Sequence, residues 1–229
     1  IYKRWRAYRR IVKNMYYKHD DIISFFTLLN DNVRYILIKN IDGELPDKLK
    51  VGKDIDIIVH PDDYAKYRTL MLKHEYKLII HPKGSYVGWK YLYGMSAACK
   101  YEHKDNHLQV DAYDCLCTKS IMMNAWLPLD KKINDSIWKN KVWDAENKWW
   151  IMDDENMVIY LITRCVFEKG FFSEEYIHEI KKRKKQIYTE SAKEKFYKIF
   201  FNFTPKLLEL VEADEYEVIV SKYKSFMDY

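Results

Sequence analysis

Glycine and proline are scarce in this chain, with six and five among 229 residues. So few breakers of regular structure leave little room for long flexible linkers and argue against a disordered or low-complexity chain. Cysteine is scarce too. The four, at 99, 115, 117 and 165, make no zinc pattern: Cys115-x-Cys117 falls in a predicted strand with both thiols on one face, but no second pair at ligand spacing accompanies it. Buried free thiols are the expectation. No stretch approaches about 18 consecutive apolar residues and no signal-peptide pattern opens the sequence, so a cytoplasmic location is expected. The sequence opens on Ile1 rather than Met, which leaves room for a trimmed chain or one part of a longer protein. No Ser/His/Asp or Cys/His nucleophile arrangement and no Walker-type loop is visible. His60, His74, His81, His103 and His107 show no metal-ligand spacing on a shared helix.

Hydrophobic residues, by contrast, make up 48 %, and 20 Tyr, 10 Phe and 7 Trp supply ample core material. The length suits one large domain, or a compact core with a helical appendage. Acidic and basic side chains are mostly interspersed, and the formal net charge is +5. Two segments are locally basic. The first 20 residues carry Lys3, Arg4, Arg6, Arg9, Arg10, Lys13 and Lys18 against Asp20, and Lys181-Lys182-Arg183-Lys184-Lys185 is the second. Such runs are usually solvated helix faces. Otherwise they attract a nucleotide, a polyphosphate, a nucleic acid or a membrane surface, which leaves peripheral membrane association open.

Apolar periodicity predicts an amphipathic helix over 2–19, through Trp5, Tyr8, Val12, Met15 and Tyr16, and a second over 21–29 stopped by Asn30-Asp31-Asn32. Strands are predicted at 33–38 (VRYILI), 54–59 (DIDIIV) and 76–80, with a helix from Pro61 to about His74. A hairpin is predicted from 97–103 and 108–117 around Asp105-Asn106. Residues 121–152 hold five of the tryptophans and look irregular or short-helical; those rings read as packing rather than a base-stacking platform. Four helices then fit 153–168, 173–188, 190–202 and 204–227, the first ending at the Gly170 C-cap and the last broken near Asp214. Strands are thus expected only between 33 and 117: an α+β chain with a mixed core over 1–120 and a helical module over 121–229.

Chemistry concentrates in DIDIIV. Alternate side chains of a strand share a face, so Asp54 and Asp56 point together, roughly 7 Å apart along the strand, while Ile55 and Ile57 point away. Two carboxylates fixed side by side repel unless a cation sits between them, and magnesium suits oxygen ligands. In the later strand LQVDAYDCL the same alternation puts Gln109, Asp111 and Tyr113 on one face, which makes Asp111 a third candidate ligand if the strands are neighbours.

The order strand, loop, Asp54-Ile55-Asp56-Ile57, helix, strand and Val110-Asp111-Ala112 resembles the polymerase-beta-type nucleotidyltransferase fold. Within it, VGKDIDIIVHPDDYAKYRTLMLKHEYKLI is similar to the bacterial uncharacterised nucleotidyltransferase group; the resemblance covers residues 33–117. It implies a small mixed β-sheet core flanked by helices, with Asp54, Asp56 and Asp111 as catalytic metal ligands. The implied activity is Mg2+-dependent nucleotidyl or phosphoryl transfer from a nucleotide or nucleotide-linked substrate to a small-molecule or saccharide acceptor. The implied context is bacterial surface-polysaccharide biosynthesis. The family's phosphate-binding Gly-Ser or Gly-Gly is absent; that place reads Ile38-Lys39-Asn40, with no glycine before Gly43. Lys39 and Lys53 are therefore the candidate phosphate contacts. The missing glycine also fits a catalytically degenerate fold that binds a nucleotide or partner. The basic segments fit a toxin-type or nucleic-acid-modifying relative, although a nucleic-acid partner is not expected of so mixed a surface.

Overall fold

The computed structural model describes residues 15–79, 90–91, 99–120 and 125–227. In chain order the first elements are α1 (His19–Asn30), β1 (Tyr35–Leu37), β2 (Asp54–Val59), α2 (Tyr64–Lys73), β3 (Tyr76–Leu78), β4 (Lys90–Tyr91), β5 (Cys99–His103) and β6 (Gln109–Tyr113). There follow β7 (Cys117–Lys119), β8 (Ala125–Pro128), α3 (Lys131–Asn140), β9 (Val142–Asp144), β10 (Trp149–Ile151) and α4 (Asp154–Arg164). Last come α5 (Glu174–Lys182), α6 (Glu190–Phe200), α7 (Thr204–Glu212) and α8 (Tyr216–Lys224). The chain is mixed α+β. Among the described residues, no helix is long and apolar enough to cross a membrane.

Two compact units are interleaved along the sequence. One takes in Ile1–Ser85, Ser96–Cys115 and Trp143–Ile151; the other takes in Tyr86–Met95, Leu116–Val142 and Met152–Tyr229. A single division at residue 120 differs from this arrangement, because the 143–151 segment returns to the first unit.

The first unit holds a seven-stranded sheet in the order β3-β5-β6-β2-β1-β10-β9. It is mixed: β2 runs parallel to β6 and β1 parallel to β10, while β1–β2, β5–β6 and β3–β5 are antiparallel. Strand β2 lies between two neighbours and is buried from Ile55 to Val59, which is why its sequence is so rich in Ile and Val. On one face Ile55, Ile57 and Val59 join Val110, Ala112, Tyr101 and Leu37 in a continuous core. Helix α1 supplies Ile22, Phe25, Phe26 and Leu29 to that core, spaced so that one stripe faces inward, with Asp20 and Asp21 in its first turn favoured by the helix dipole. Helix α2 adds Tyr64, Tyr67, Leu70 and Met71, and the Tyr64 hydroxyl donates to the Ala112 carbonyl at 3.0 Å.

The second unit combines a three-stranded sheet, β4-β8-β7, with helices. Helix α4 starts on an Asp153 cap and is apolar nearly all round: Met157 to Ile162 are buried. One buried cation ties three elements together. The Lys195 ammonium donates to Ser136 Oγ at 2.7 Å, Glu155 Oε1 at 2.7 Å and Asn156 Oδ1 at 2.9 Å, so all three of its donor positions are used.

Several sequence expectations need correction. Strands are not confined to 33–117, because β8, β9 and β10 lie beyond. Within the segment 121–152, expected to be irregular or short-helical, the short helix is present as α3, but residues 125–128, 142–144 and 149–151 are strands. Its tryptophan clusters hide the period-two alternation, while Asp144 organises the tight turn by accepting from the backbone N–H groups of Glu146 and Asn147, both at 3.1 Å. The strand expected over 108–117 ends at Tyr113, bends at Asp114-Cys115, and resumes as β7 in the other sheet. Cys115 and Cys117 therefore do not share one strand face, and of the four free thiols only Cys165 is buried; the others are half-buried. Most of the helix expected over 2–19 lies outside the described residues. Residues 15–18 of it are not helical: Tyr16 bridges Lys50, and Tyr17 N–H donates to the Leu49 carbonyl at 2.9 Å. The strand expected to 80 closes at Leu78. The final helix is broken where expected, at Asp214 with φ of 60°.

Trp149 is fully buried, its ring 4.5 Å from that of Phe26. Trp149→Ala should cost about 3–5 kcal/mol of stability. In urea unfolding, a loss below about 1 kcal/mol would show that β10 is not packed into this core.

Candidate metal centre

The sheet face opposite α1 and α2 carries the polar residues of β2. Alternation alone puts Asp54 and Asp56 there, because Ile55 and Ile57 fill the core. The parallel register then sets Asp56 beside Asp111, with Ile55 beside Val110 and Ile57 beside Ala112. Since Val110 and Ala112 are fully buried in the core, Asp111 must face the same way as Asp56. Oxygen atoms of Asp54, Asp56 and Asp111 all lie within 4.8 Å of one another. Asp56 is buried and the other two carboxylates are half-buried.

Two lysines meet this cluster. Lys39, in the loop just after β1, pairs with Asp56. Lys100 donates to Asp54 Oδ2 at 2.7 Å and stands 3.5 Å from Asp111 Oδ1. It sits on β5 directly opposite Asp111 in the antiparallel β5–β6 pair. Three carboxylates thus face two ammonium groups. Sequence reasoning overlooked Lys100, although the hairpin turn at Asp105-Asn106 sets the register that places it opposite Asp111. Lys53, the other proposed phosphate contact, pairs instead with Glu44 and is half exposed.

The electrostatics separate two of the carboxyls. Burial pushes Asp111 up to about 8, assisted by the Asp54 charge and only partly opposed by Lys100. Asp54 moves the other way: burial would raise it, but the hydrogen bond and charge of Lys100 outweigh that and hold it below the ordinary carboxylate range. Lys100 is raised, because Asp111 and Asp54 together overcome the burial that opposes its charge. Without a cation, then, Asp54 is ionised and Asp111 keeps a proton at neutral pH.

These residues fit a hard divalent cation. The donor set is entirely carboxylate oxygen, and Asp111 Oδ1 is buried without a hydrogen-bond partner among the described residues. The cluster could hold a metal ion. The histidines do not join it among the described residues: His60 pairs with Asp62 and His107 with Glu102, while His81 lies outside the described residues. The basic run at 181–185 is largely neutralised within its own unit. Lys181 and Lys184 pair with Asp214, Lys182 with Glu179, and Arg183 with both Glu179 and Asp154.

Compared with known proteins, the chain matches no family model, and no curated protein matches it either.

The proton on Asp111 has a measurable consequence. The folded state holds this proton far above the ordinary aspartate value of 3.8, where the unfolded chain releases it. Between about pH 4 and 8 the folded state therefore binds more protons, and stability falls as pH rises through that window. In chelator-treated protein, the melting temperature should decline from pH 5 to 8, and Asp111→Asn should flatten that decline. An identical pH profile for wild type and variant would show that Asp111 titrates as an ordinary carboxylate.

Proposed function

We propose that this chain is a magnesium-dependent nucleotidyl or phosphoryl transferase with a polymerase-beta-type core, acting on a small-molecule or saccharide acceptor. The observation that carries this reading is the convergence of Asp54, Asp56 and Asp111 from two parallel neighbouring strands on one sheet face. Asp54, Asp56 and Asp111 would hold Mg2+, which when bound would neutralise phosphate oxygens and the leaving pyrophosphate. Lys39 and Lys100, which touch the same carboxylates, have the charge to hold substrate phosphates once those carboxylates are otherwise engaged. Asp111 would either complete the metal set or, once a bound cation has displaced its proton, accept the proton of the acceptor hydroxyl. A nucleotide donor follows from the resemblance of residues 33–117. The acceptor class, the surface-polysaccharide context and a cytoplasmic site of action rest on that resemblance and on the sequence expectation. The ion pairing of the run at 181–185 supports leaving nucleic acid out of the partners.

One observation favours a second reading. The Lys39–Asp56 and Lys100–Asp54 pairs already supply positive charge where a cation would sit. In a catalytically degenerate fold these lysines would take the place of the metal permanently, leaving a nucleotide- or partner-binding module.

Thermal shift with a nucleoside triphosphate panel, with and without magnesium, separates the two. For the enzyme, a nucleotide should raise the melting temperature only with magnesium, and pyrophosphate should be released with a suitable acceptor. Asp56→Asn should abolish the magnesium-dependent shift, and because it also removes the charge that Lys39 pairs with, the melting temperature of the metal-free variant is compared with wild type alongside it. Lys39→Ala should weaken nucleotide binding roughly 10- to 150-fold, the value of about 1.5–3 kcal/mol for a charge-assisted contact. Magnesium-independent shifts that survive Asp56→Asn would favour the degenerate binder.

A further inference from the structure

The second unit has an open cavity of about 640 Å³ that the carboxylate site does not use. That volume is in the range of small-molecule pockets. Its floor is apolar, from Leu127 and Pro128 of β8, Ile199 of α6 and the ring of Phe167. Phe167 lies on a five-residue π-helical turn, Cys165–Lys169, and stacks on Phe200 at 5.3 Å. Such turns often mark functional sites.

Three features on the cavity wall are costly for a purely structural surface. Phe201 has φ of 49° and ψ of −134°, a backbone region that glycine occupies easily and a bulky residue does not. This strained residue lines the cavity and is 62 % exposed, so it gains little from burial. Thr118 Oγ1 is buried without a hydrogen-bond partner among the described residues. Three lysines, Lys119, Lys198 and Lys224, line the same space with a single acid, Asp130. Asp130 is paired with Lys198 at 3.3 Å, which leaves the cavity with an excess of positive charge.

We propose that this cavity binds a small amphipathic anion: an aromatic or acyl body against Phe167, Phe201 and Leu127, with a phosphate or carboxylate held by Lys119 and Lys224. Strain at Phe201 is then the means by which an aromatic ring is presented to the ligand. The site lies wholly within the second unit and does not depend on the carboxylate centre being an enzyme.

Isothermal titration of the full chain with anilinonaphthalene sulfonate, an aromatic body carrying an anion, tests this. One saturable site per chain is expected at physiological salt. The double variant Lys119→Ala/Lys224→Ala should bind the probe roughly tenfold more weakly or worse, since two charge-assisted contacts are lost. Phe201→Gly should likewise weaken binding while raising the melting temperature by a few degrees, because glycine relieves the strain. Displacement by adenosine monophosphate but not by decanoate identifies an aromatic phosphate as the ligand type, and the reverse identifies an acyl carboxylate. The proposal is overturned if the double variant binds within about threefold of wild type, if Phe201→Gly leaves affinity unchanged, or if neither competitor displaces the probe at millimolar concentration.

Discussion

Parallel pairing of β2 with β6, in the register that sets Asp56 beside Asp111, is the constraint on which the candidate centre depends. Neighbouring strands lie about 4.8 Å apart, so residues in register cannot move away from each other without breaking the ladder. At that separation two carboxylates repel by roughly 3 kcal/mol with an effective dielectric of about 20. The sheet keeps them there because Ile55, Ile57, Val110 and Ala112, on the other face, are buried in the core. Sliding β2 by one residue would expose that apolar set and bury the acids. Core packing therefore enforces an electrostatic arrangement that the carboxylates alone would not adopt.

The protein answers this repulsion in three ways, each legible in the geometry. Lys39 neutralises Asp56, and Lys100 spans Asp54 and Asp111. Asp111 retains a proton at neutral pH because it is buried and Lys100 only partly compensates. The remaining acceptor, Asp111 Oδ1, is left without a hydrogen-bond partner among the described residues. A divalent cation would satisfy that oxygen and displace the proton together. Lysine pairing and metal binding are thus competing solutions to one problem, and an enzyme and a degenerate binder differ in which of them prevails.

Much of the first unit was legible from local pattern. DIDIIV is a strand from Asp54 to Val59 as expected, and α1 covers the expected 21–29 with short extensions. The tryptophan-rich stretch was not legible. Val142–Asp144 is too short to show alternation and Trp149-Trp150 put two rings on consecutive positions, so what holds the pair is a side-chain-organised turn and the burial of Trp149 against Phe26. The apparent long strand at 108–117 misled for the opposite reason. Its apolar pattern continues through Leu116, but Leu116 is buried in the second unit, where its N–H donates to Asn134 Oδ1 at 2.7 Å.

What the sequence determined by itself is the facing of the acids. Alternation has a period of two, so Asp54 and Asp56 share a face, and Asp111 opposes Val110 and Ala112, whatever the rest of the chain does. Tertiary structure alone decided that the two faces are the same one, because β2 and β6 are separated by some fifty residues and only their parallel pairing brings the carboxylates together. It also decided which lysines serve the site. Lys53 is next to Asp54 in sequence yet pairs with Glu44, while Lys100, remote in sequence, lies opposite Asp111 through the β5–β6 register. Adjacency along a chain says little about contact, since a strand sends consecutive side chains to opposite faces, and long-range pairing selects the neighbours.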